Sequence, residues 1–349
     1  MAIARNEEVT EGNAMNKKPR IALLGATGAV GREMLKIIHE MKIDYEVLRL
    51  FATKNSAGLQ MNCAGNTFTV EETSESSFED IDICLASAGS AASKHWIPIA
   101  VTKGVTVIDN CSYWRMMEHV PLVVPEVNAM DLHKHNKIIG NPNCSTIQLV
   151  QVLSPLHKKF GLRKVIVSTY QSVSGAGNKG ITALKEETAA YPEEIAGSFS
   201  KPIAFNVIPQ IGDIEENGFT SEEMKLLNET RKILKDDDLL VTSTAVRVPV
   251  FWGHSESVLL QFKGAVTPAE IRRELNDTHN LQVIDDQSLK LFPTPRDCEN
   301  NDNTLIGRIR QDLLGKDWIN LWIVSNNLRK GAALNAVQIA KYMIDKELI

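Results

Sequence analysis

Apolar residues follow two rhythms along this chain. In "RIALLGATGAVGREMLKIIHEM" a short apolar run at 20–24 reads as a buried strand, and glycines follow at 25, 28 and 31. Val30, Met34, Ile37, Ile38 and Met41 then recur at helical spacing and give one apolar face. Strand, glycine turn and helix form the first unit of a βαβ fold. Further strand candidates at 47–51, 81–86 and 105–108 alternate with helical stretches, which predicts a parallel sheet with helices on both faces.

Beyond residue 144 the rhythm changes. Two long runs, "LRKVIVSTYQSVSGAG" and "LLVTSTAVRVPVFWGHSESVLLQF", alternate with period two, and helical "TSEEMKLLNETRKILK" lies between them. Such strands predict a mainly antiparallel sheet in an α+β second domain. The C-terminal stretch "GAALNAVQIAKYMIDKEL" is amphipathic, with Ala333, Val337, Ala340 and Ile344 near one face, and is expected to return onto the first domain. No internal repeat or low-complexity segment interrupts the pattern.

Length agrees with two domains, since 349 residues exceed a usual single core. A hydrophobic content of 43% with 23% charged residues is that of an ordinary globular protein. The net charge of -5 argues against nucleic acid or an anionic membrane as main partner. No apolar run approaches the roughly 20 residues that span a bilayer. The polar leader over 1–18 lacks a signal-peptide core, so a cytoplasmic protein with a disordered leader is expected. The 5 cysteines form no CxxC pair and no zinc-type cluster, which favours free thiols. Cys84, inside "IDICLASAG", reads as a small core residue.

Two stretches carry candidate chemistry. "GATGAVG" follows a strand and opens a helix, the context in which backbone amides and the helix dipole hold a pyrophosphate. Three glycines alone fit a tight turn equally well. The end of the second strand, "LFATKNSAG", has Thr53, Lys54, Asn55 and Ser56 and no acid. Where NAD sites usually carry an acid for the ribose hydroxyl, this loop suits a 2′-phosphate, so NADP is favoured over a polar loop of no special role.

The other stretch is "GNPNCSTIQLV". Ser145 and Gln148 match a capping box with Ser145 as N-cap, which would put Cys144 just outside a helix N-terminus. The positive dipole end there favours thiolate and lowers the thiol pKa. A semi-buried loop cysteine fits the position as well.

"GNPNCSTIQ", "TYQSVSGAG", "AVRVPVFWGHSES", "SNNLRKGAALNAVQIA" and "PLVVPEVN" together resemble the aspartate-semialdehyde dehydrogenase family from about Arg20 to the C-terminus. The resemblance implies a Rossmann-type doubly wound NADP-binding domain over 19–145 plus 330–349, and an α+β catalytic and dimerisation domain over 146–329. It implies Cys144 as nucleophile and His254 as acid/base. Gln171 would orient the acyl group, Arg247 bind the α-carboxylate, Glu222 face the amino group, and Arg115 and Lys225 bind phosphate. Gly25, Thr27, Gly28, Ala29, Val30, Asn55, Ser56, Ser174, Gly175 and Asn327 would contact the cofactor. The implied reaction is reversible conversion of L-4-aspartyl phosphate and NADPH into aspartate semialdehyde, by a homodimer. By the same resemblance it serves lysine, diaminopimelate, threonine, methionine and isoleucine synthesis.

Asn55 departs from the arginine often found there, Cys111 from a serine and Asn326 from an aspartate. Local readings remain beside the implied roles. Arg247 in an apolar strand needs an anion, which a structural acid would also supply. Arg115 and Lys225 read as surface charges, and Glu222 with Lys225 as a helical ion pair. Arg247 and His254 are seven apart, so joint action requires a bend near Pro249 or Gly253. Two other functions compete: an N-acetyl-γ-glutamyl-phosphate reductase and a non-catalytic dinucleotide-binding protein.

Overall fold

The computed structural model describes residues 18–193, 195 and 197–349, so the expected leader lies almost wholly outside the described residues. The first half contains strands β1 (Arg20–Leu24), β2 (Val47–Ala52), β3 (Gln60–Cys63), β4 (Asn66–Glu72), β5 (Ile83–Ala86), β6 (Thr106–Asp109) and β7 (Ile138–Gly140). Helices α1 (Ala29–Glu40), α2 (Ser90–Thr102) and α3 (Pro125–Asn128) join them. The seven strands run in the order β3-β4-β2-β1-β5-β6-β7. All neighbours pair in parallel except β3 with β4.

β5 and β6 are buried at every position, as expected of parallel strands covered on both faces. Met34, Ile37 and Ile38 of α1 share one core with Ile21, Leu23 and Ile83. The C-terminal helix α8 (Leu334–Asp345) returns to this core, where Val337, Ala340 and Met343 are buried. On the other face Ile97 and Ala100 of α2 pack with Leu24, Cys84 and Val107. Because the sheet is wound in both directions from β1, the carboxyl ends of its strands open into one crevice. Gly25, Ser87, Asn110 and Asn141 continue β1, β5, β6 and β7 there.

From the edge strand β7 the chain enters α4 (Cys144–Phe160), a helix buried almost all round. The second sheet comprises β8 (Leu162–Gln171), β9 (Leu240–Arg247), β10 (His254–Phe262), β11 (Leu281–Val283), β12 (Thr304–Gln311) and β13 (Trp318–Ser325). Helices α5 (Asn178–Ala190), α6 (Ser221–Leu234) and α7 (Pro268–Asn276) lie between them. Its order is β11-β12-β13-β10-β8-β9. The three central pairings are antiparallel, while β8–β9 and β11–β12 are parallel. The sheet is therefore mainly antiparallel, as expected, and β9 lies parallel to β8 because the long segment with α5 and α6 carries the chain back to start it alongside. Val165, Val167, Val258, Leu260 and Leu321 pack inward against Leu149, Val152 and Leu156 of α4. Ile166 and Tyr170 on the opposite face are exposed. Among the described residues no helix is long and apolar enough to cross a membrane.

The required bend is present. β9 ends at Arg247 and β10 starts at His254, with β8 between them in the sheet. Gly253 has φ +83, and a Cβ there would meet Cys298 Sγ at 2.6 Å, so no other residue fits this corner.

Two residues past His254, and on the same face of β10, stands Glu256. It is fully buried, and among the described residues neither carboxyl oxygen has a hydrogen-bond partner within normal geometry. Burial raises its pKa well above the usual carboxylate range, with Gln148 opposing the rise. Glu256 thus stays protonated in the fold while the unfolded chain ionises near its ordinary value. Its contribution is complete below that value and is lost as pH rises. Glu256→Gln should match the wild type at pH 4 and exceed it at pH 7, by up to roughly 1.4 kcal/mol for each pH unit crossed. Urea denaturation of both proteins at several pH values measures this, and a constant difference would refute it.

Candidate active site

A cleft of about 480 Å³ lies between the two sheets. Gly28, Ala29, Val30 and Arg115 line it from the first sheet's side, together with Cys144. Gln171, Ser174, Gly175, Glu222, Lys225, Arg247 and Asn327 line it from the second. Of the residues expected at the site, Gly25, Thr27, Asn55, Ser56 and His254 do not reach its wall. Gly25 shapes the turn: its φ is +85, and a Cβ would strike the Ser87 carbonyl oxygen at 2.5 Å. Gly28 caps α1 without any side-chain hydrogen bond, which leaves first-turn amides open toward the cleft. The loop carrying Asn55 and Ser56 lies beside this turn, where Thr27 Oγ1 and Ser56 Oγ are 3.4 Å apart. Lys54 and Asn55 are exposed.

The capping box expected at Ser145 does not form. Asn143 is the N-cap, its Oδ1 accepting from the backbone amides of Ser145 (3.0 Å) and Thr146 (3.4 Å). Cys144 is therefore the first residue of α4, not the residue before it. Ser145 turns inward, where its Oγ accepts from Gln171 Nε2 at 2.6 Å. Asn143 also binds two buried carboxylates. Its backbone amide donates to Glu229 Oε2 at 2.7 Å, and its Nδ2 donates to Glu222 Oε1 at 2.8 Å.

Each carboxylate in turn holds a cation. Glu229 Oε1 accepts from Arg115 Nη1 at 2.9 Å, and Glu222 Oε2 lies 2.9 Å from Lys225 Nζ. Arg115 is thus buried rather than a surface charge, and its Nε has no partner. Asn143 thus links Arg115 to Lys225 through the two carboxylates at the root of the thiol, and Gln171 Nε2 joins this chain at Glu222 Oε1, 3.1 Å away.

Arg247 is buried and forms no ion pair among the described residues; its Nη1 donates to the Ser172 carbonyl at 2.8 Å. His254 lies behind Gly175 with no accessible surface. A Cβ on Gly175 would come within 2.9 Å of Arg247 Nη1 and 3.2 Å of His254 Nε2, so any larger residue here would push the guanidinium and the ring aside. His254 Nδ1 accepts from the Ser172 amide at 3.1 Å and is 3.1 Å from Ser172 Oγ. A neutral ring then carries its proton on Nε2, which has no protein partner. Asn327 Oδ1 accepts from Ser172 Oγ and from the Gly253 amide, tying this wall of the cleft to the corner before β10. No hydrogen bond joins His254 to Cys144 among the described residues.

The electrostatics differ from the dipole argument made on the sequence. Burial, then the Glu222 charge, pushes the Cys144 thiol up to about 12, although Arg247, Arg115 and Lys225 pull it down. The residue itself remains partly accessible from the cleft. Burial, with Arg247 second, lowers His254 to about 3, so the ring is neutral. Burial alone would raise Glu222, but Lys225 and the hydrogen bonds from Asn143 and Gln171 hold it down to about 2. The site thus presents a protonated thiol, a neutral imidazole and an unpaired guanidinium.

Sequence reasoning did not single out Asn143, Glu229 or Ser172. Asn143 offered a signal, since asparagine is as good an N-cap as serine. Glu229 offered none: it sits in a helical repeat of charges, and only the fold brings it to Arg115.

Residues 20–135 match the family model for the semialdehyde dehydrogenase NAD binding domain, and residues 153–330 that for the semialdehyde dehydrogenase dimerisation domain. The chain is 46% identical to the aspartate-semialdehyde dehydrogenase of Bacillus subtilis, over 96% of this chain and 100% of that one. It is 45% identical to that of Aquifex aeolicus, over 95% and 99%. A crystal structure of aspartate semialdehyde dehydrogenase II from Vibrio cholerae superposes with a TM-score of 0.91 at 42% identity, covering 94% of this chain and 99% of that one. The same Vibrio enzyme complexed with ASA superposes equally well. With both of its domains matched, and relatives similar over nearly their whole length, the chain belongs to the aspartate-semialdehyde dehydrogenase family of NAD(P)-dependent oxidoreductases.

Proposed function

We propose that this protein is an NADP-dependent aspartate-semialdehyde dehydrogenase that interconverts L-4-aspartyl phosphate and L-aspartate 4-semialdehyde. The observation that carries this reading is the placement of Cys144 at the first residue of α4, in one cleft with Gln171, Arg247 and Glu222. Arg247 offers a guanidinium with no carboxylate partner among the described residues, which suits a substrate α-carboxylate. Glu222 offers a carboxylate to an α-ammonium. An N-acetylated substrate would bring a neutral amide to that carboxylate instead, which disfavours the N-acetyl-γ-glutamyl-phosphate reductase reading.

In the reductive direction Cys144 Sγ attacks the acyl carbon and passes its proton to the oxygen of the departing phosphate, leaving a thioester. Arg115 and Lys225 receive the departing phosphate. The bound dinucleotide supplies the hydride. His254 acts as the acid/base: its Nε2–H serves the oxygen on which charge develops, and Ser172 Oγ can donate to Nδ1 as that proton moves. Collapse of the thiohemiacetal releases aldehyde and restores the thiol. In the oxidative direction the ring starts as the other neutral tautomer, with Nδ1–H donating to Ser172 Oγ, so that Nε2 is free to take the thiohemiacetal hydroxyl proton.

The first sheet fits a dinucleotide. The open amides at Gly28–Val30 suit its pyrophosphate, and Ser174, Gly175 and Asn327 line the same cleft. In this reading 19–145 with 330–349 form the cofactor domain, and 146–329 the catalytic and dimerisation domain. The exposed Ile166 and Tyr170 face of the second sheet supports a homodimer. Small-molecule substrates, cytoplasmic location and a place in synthesis of lysine, diaminopimelate, threonine, methionine and isoleucine complete the proposal.

Cofactor reduction with aspartate semialdehyde, run with and without phosphate, tests the reaction. Turnover that ignores phosphate would remove the phosphorylating step. Repeating the assay with NAD tests the loop. With exposed Lys54 and no acid after β2, NADP should be preferred by a small margin. Lys54→Ala should weaken NADP several-fold and leave NAD unchanged, and added salt should narrow the gap. A wild-type preference for NAD would refute this reading of the loop.

A further inference from the structure

Two of the three cations lining the cleft already hold a carboxylate, but they hold it differently. The Arg115–Glu229 pair is fixed in place, with side-chain exposures of 8% and 1%. Lys225 keeps 30% exposure against 9% for Glu222, so Lys225 is the cation free to swing. Glu222 has room for a further donor at one oxygen. Its Oε1 accepts from both Asn143 Nδ2 and Gln171 Nε2, whereas its Oε2 accepts from Lys225 alone among the described residues. A second cation reaching this carboxylate must come to Oε2, beside Lys225.

We propose that the Glu222–Lys225 pair couples two subsites: an α-ammonium group arriving at Glu222 Oε2 frees Lys225 Nζ for an inorganic phosphate or acyl phosphate in the same cleft. The inference rests on the functional reading above, which assigns Glu222 to the amino group and Lys225 to phosphate. Its physical basis is the cost of stripping a buried carboxylate of the cation that touches it. Without an ammonium ligand, Lys225 reaches phosphate only by leaving Glu222 to the more distant charges of Arg115 and Arg247. With the ammonium in place that cost disappears. Phosphate and the amino group therefore favour each other's binding, and linkage requires the effect to be reciprocal. A desamino or N-acylated compound occupying the Arg247 side would leave Lys225 where it is. The pair would then select for a free amino group at the phosphate step as well as at the amino subsite.

The test is calorimetric titration of inorganic phosphate into the full chain at constant ionic strength. It is run alone, with saturating L-2-aminobutyrate, and with saturating butyrate. Aminobutyrate has the carbon chain of the semialdehyde without the reacting carbonyl, and butyrate lacks only the amino group. The phosphate Kd should fall about tenfold with aminobutyrate and stay unchanged with butyrate. Glu222→Gln should bind phosphate more tightly than wild type when no other ligand is present, and should no longer respond to aminobutyrate. Equal Kd values in the three wild-type titrations would overturn the coupling, even with Glu222→Gln unfolded. A Glu222→Gln protein that binds phosphate no better than wild type would also overturn it. Phosphate that binds in no titration would remove the functional reading itself, a failure distinct from binding without coupling.

Discussion

Cys144→Ala is expected to lower turnover by on the order of 10⁴-fold or more, as when a nucleophile acting as a unit with its partners is removed. The fold should survive. α4 is capped through Asn143 Oδ1 and the backbone amides of Ser145 and Thr146, none of which belongs to the Cys144 side chain. Cys144 is partly accessible, so little core packing is lost, and the stability change should stay within about 1 kcal/mol. Thermal melting and NADP binding should match the wild type while NADP reduction with aspartate semialdehyde and phosphate vanishes. Retained turnover would move the nucleophile elsewhere.

A companion measurement follows from the burial of the thiol. Alkylation of Cys144 in the ligand-free protein should rise about tenfold per pH unit from pH 7 to 10, because burial holds the thiol up to about 12. Cys84 and Cys298 are buried and should react more slowly. A plateau already near pH 7 would restore the thiolate that the helix dipole alone suggested.

That contrast marks where the sequence stops being legible. β1, the glycine turn and α1 were readable because apolar spacing and local turn chemistry determine them. The short β3 and β4 were not, since "QMNC" and "NTFTVEE" lack the long apolar run of a central parallel strand. The cap of α4 was misplaced by two positions because Ser145 and Gln148 satisfy the capping pattern. Both are instead drawn into the interior, Ser145 by Gln171 and Gln148 alongside Glu256. The bend between Arg247 and His254 was legible because strand alternation demands it. Charge compensation was legible only for Lys225, whose partner Glu222 stands one helical turn away. Which carboxylate neutralises Arg115 depends on a residue 114 positions away that only the folded chain brings together.

Glu229→Ala is the expected result that turns on this hidden compensation. It removes the acceptor of Arg115 Nη1 and of the Asn143 amide in one step, and both carboxylate and guanidinium are buried. Breaking a buried pair from one side leaves an uncompensated charge, so the variant should lose about 3–5 kcal/mol of stability. The orphaned Asn143 amide lies next to Cys144, so activity should fall as well in whatever fraction stays folded. Stability and function can be separated by removing the charge on both sides. In the Arg115→Met/Glu229→Met double variant no buried charge is left unpaired, and most of the lost stability should return. Phosphate-dependent turnover should not, because the guanidinium offered to phosphate is gone. Urea denaturation of the wild type, Glu229→Ala and the double variant, alongside phosphate-dependent NADP reduction, reads both halves. A Glu229→Ala protein within about 1 kcal/mol of wild type would mean that water already compensates Arg115. A double variant as unstable as the single one would place the loss in the Asn143 cap instead.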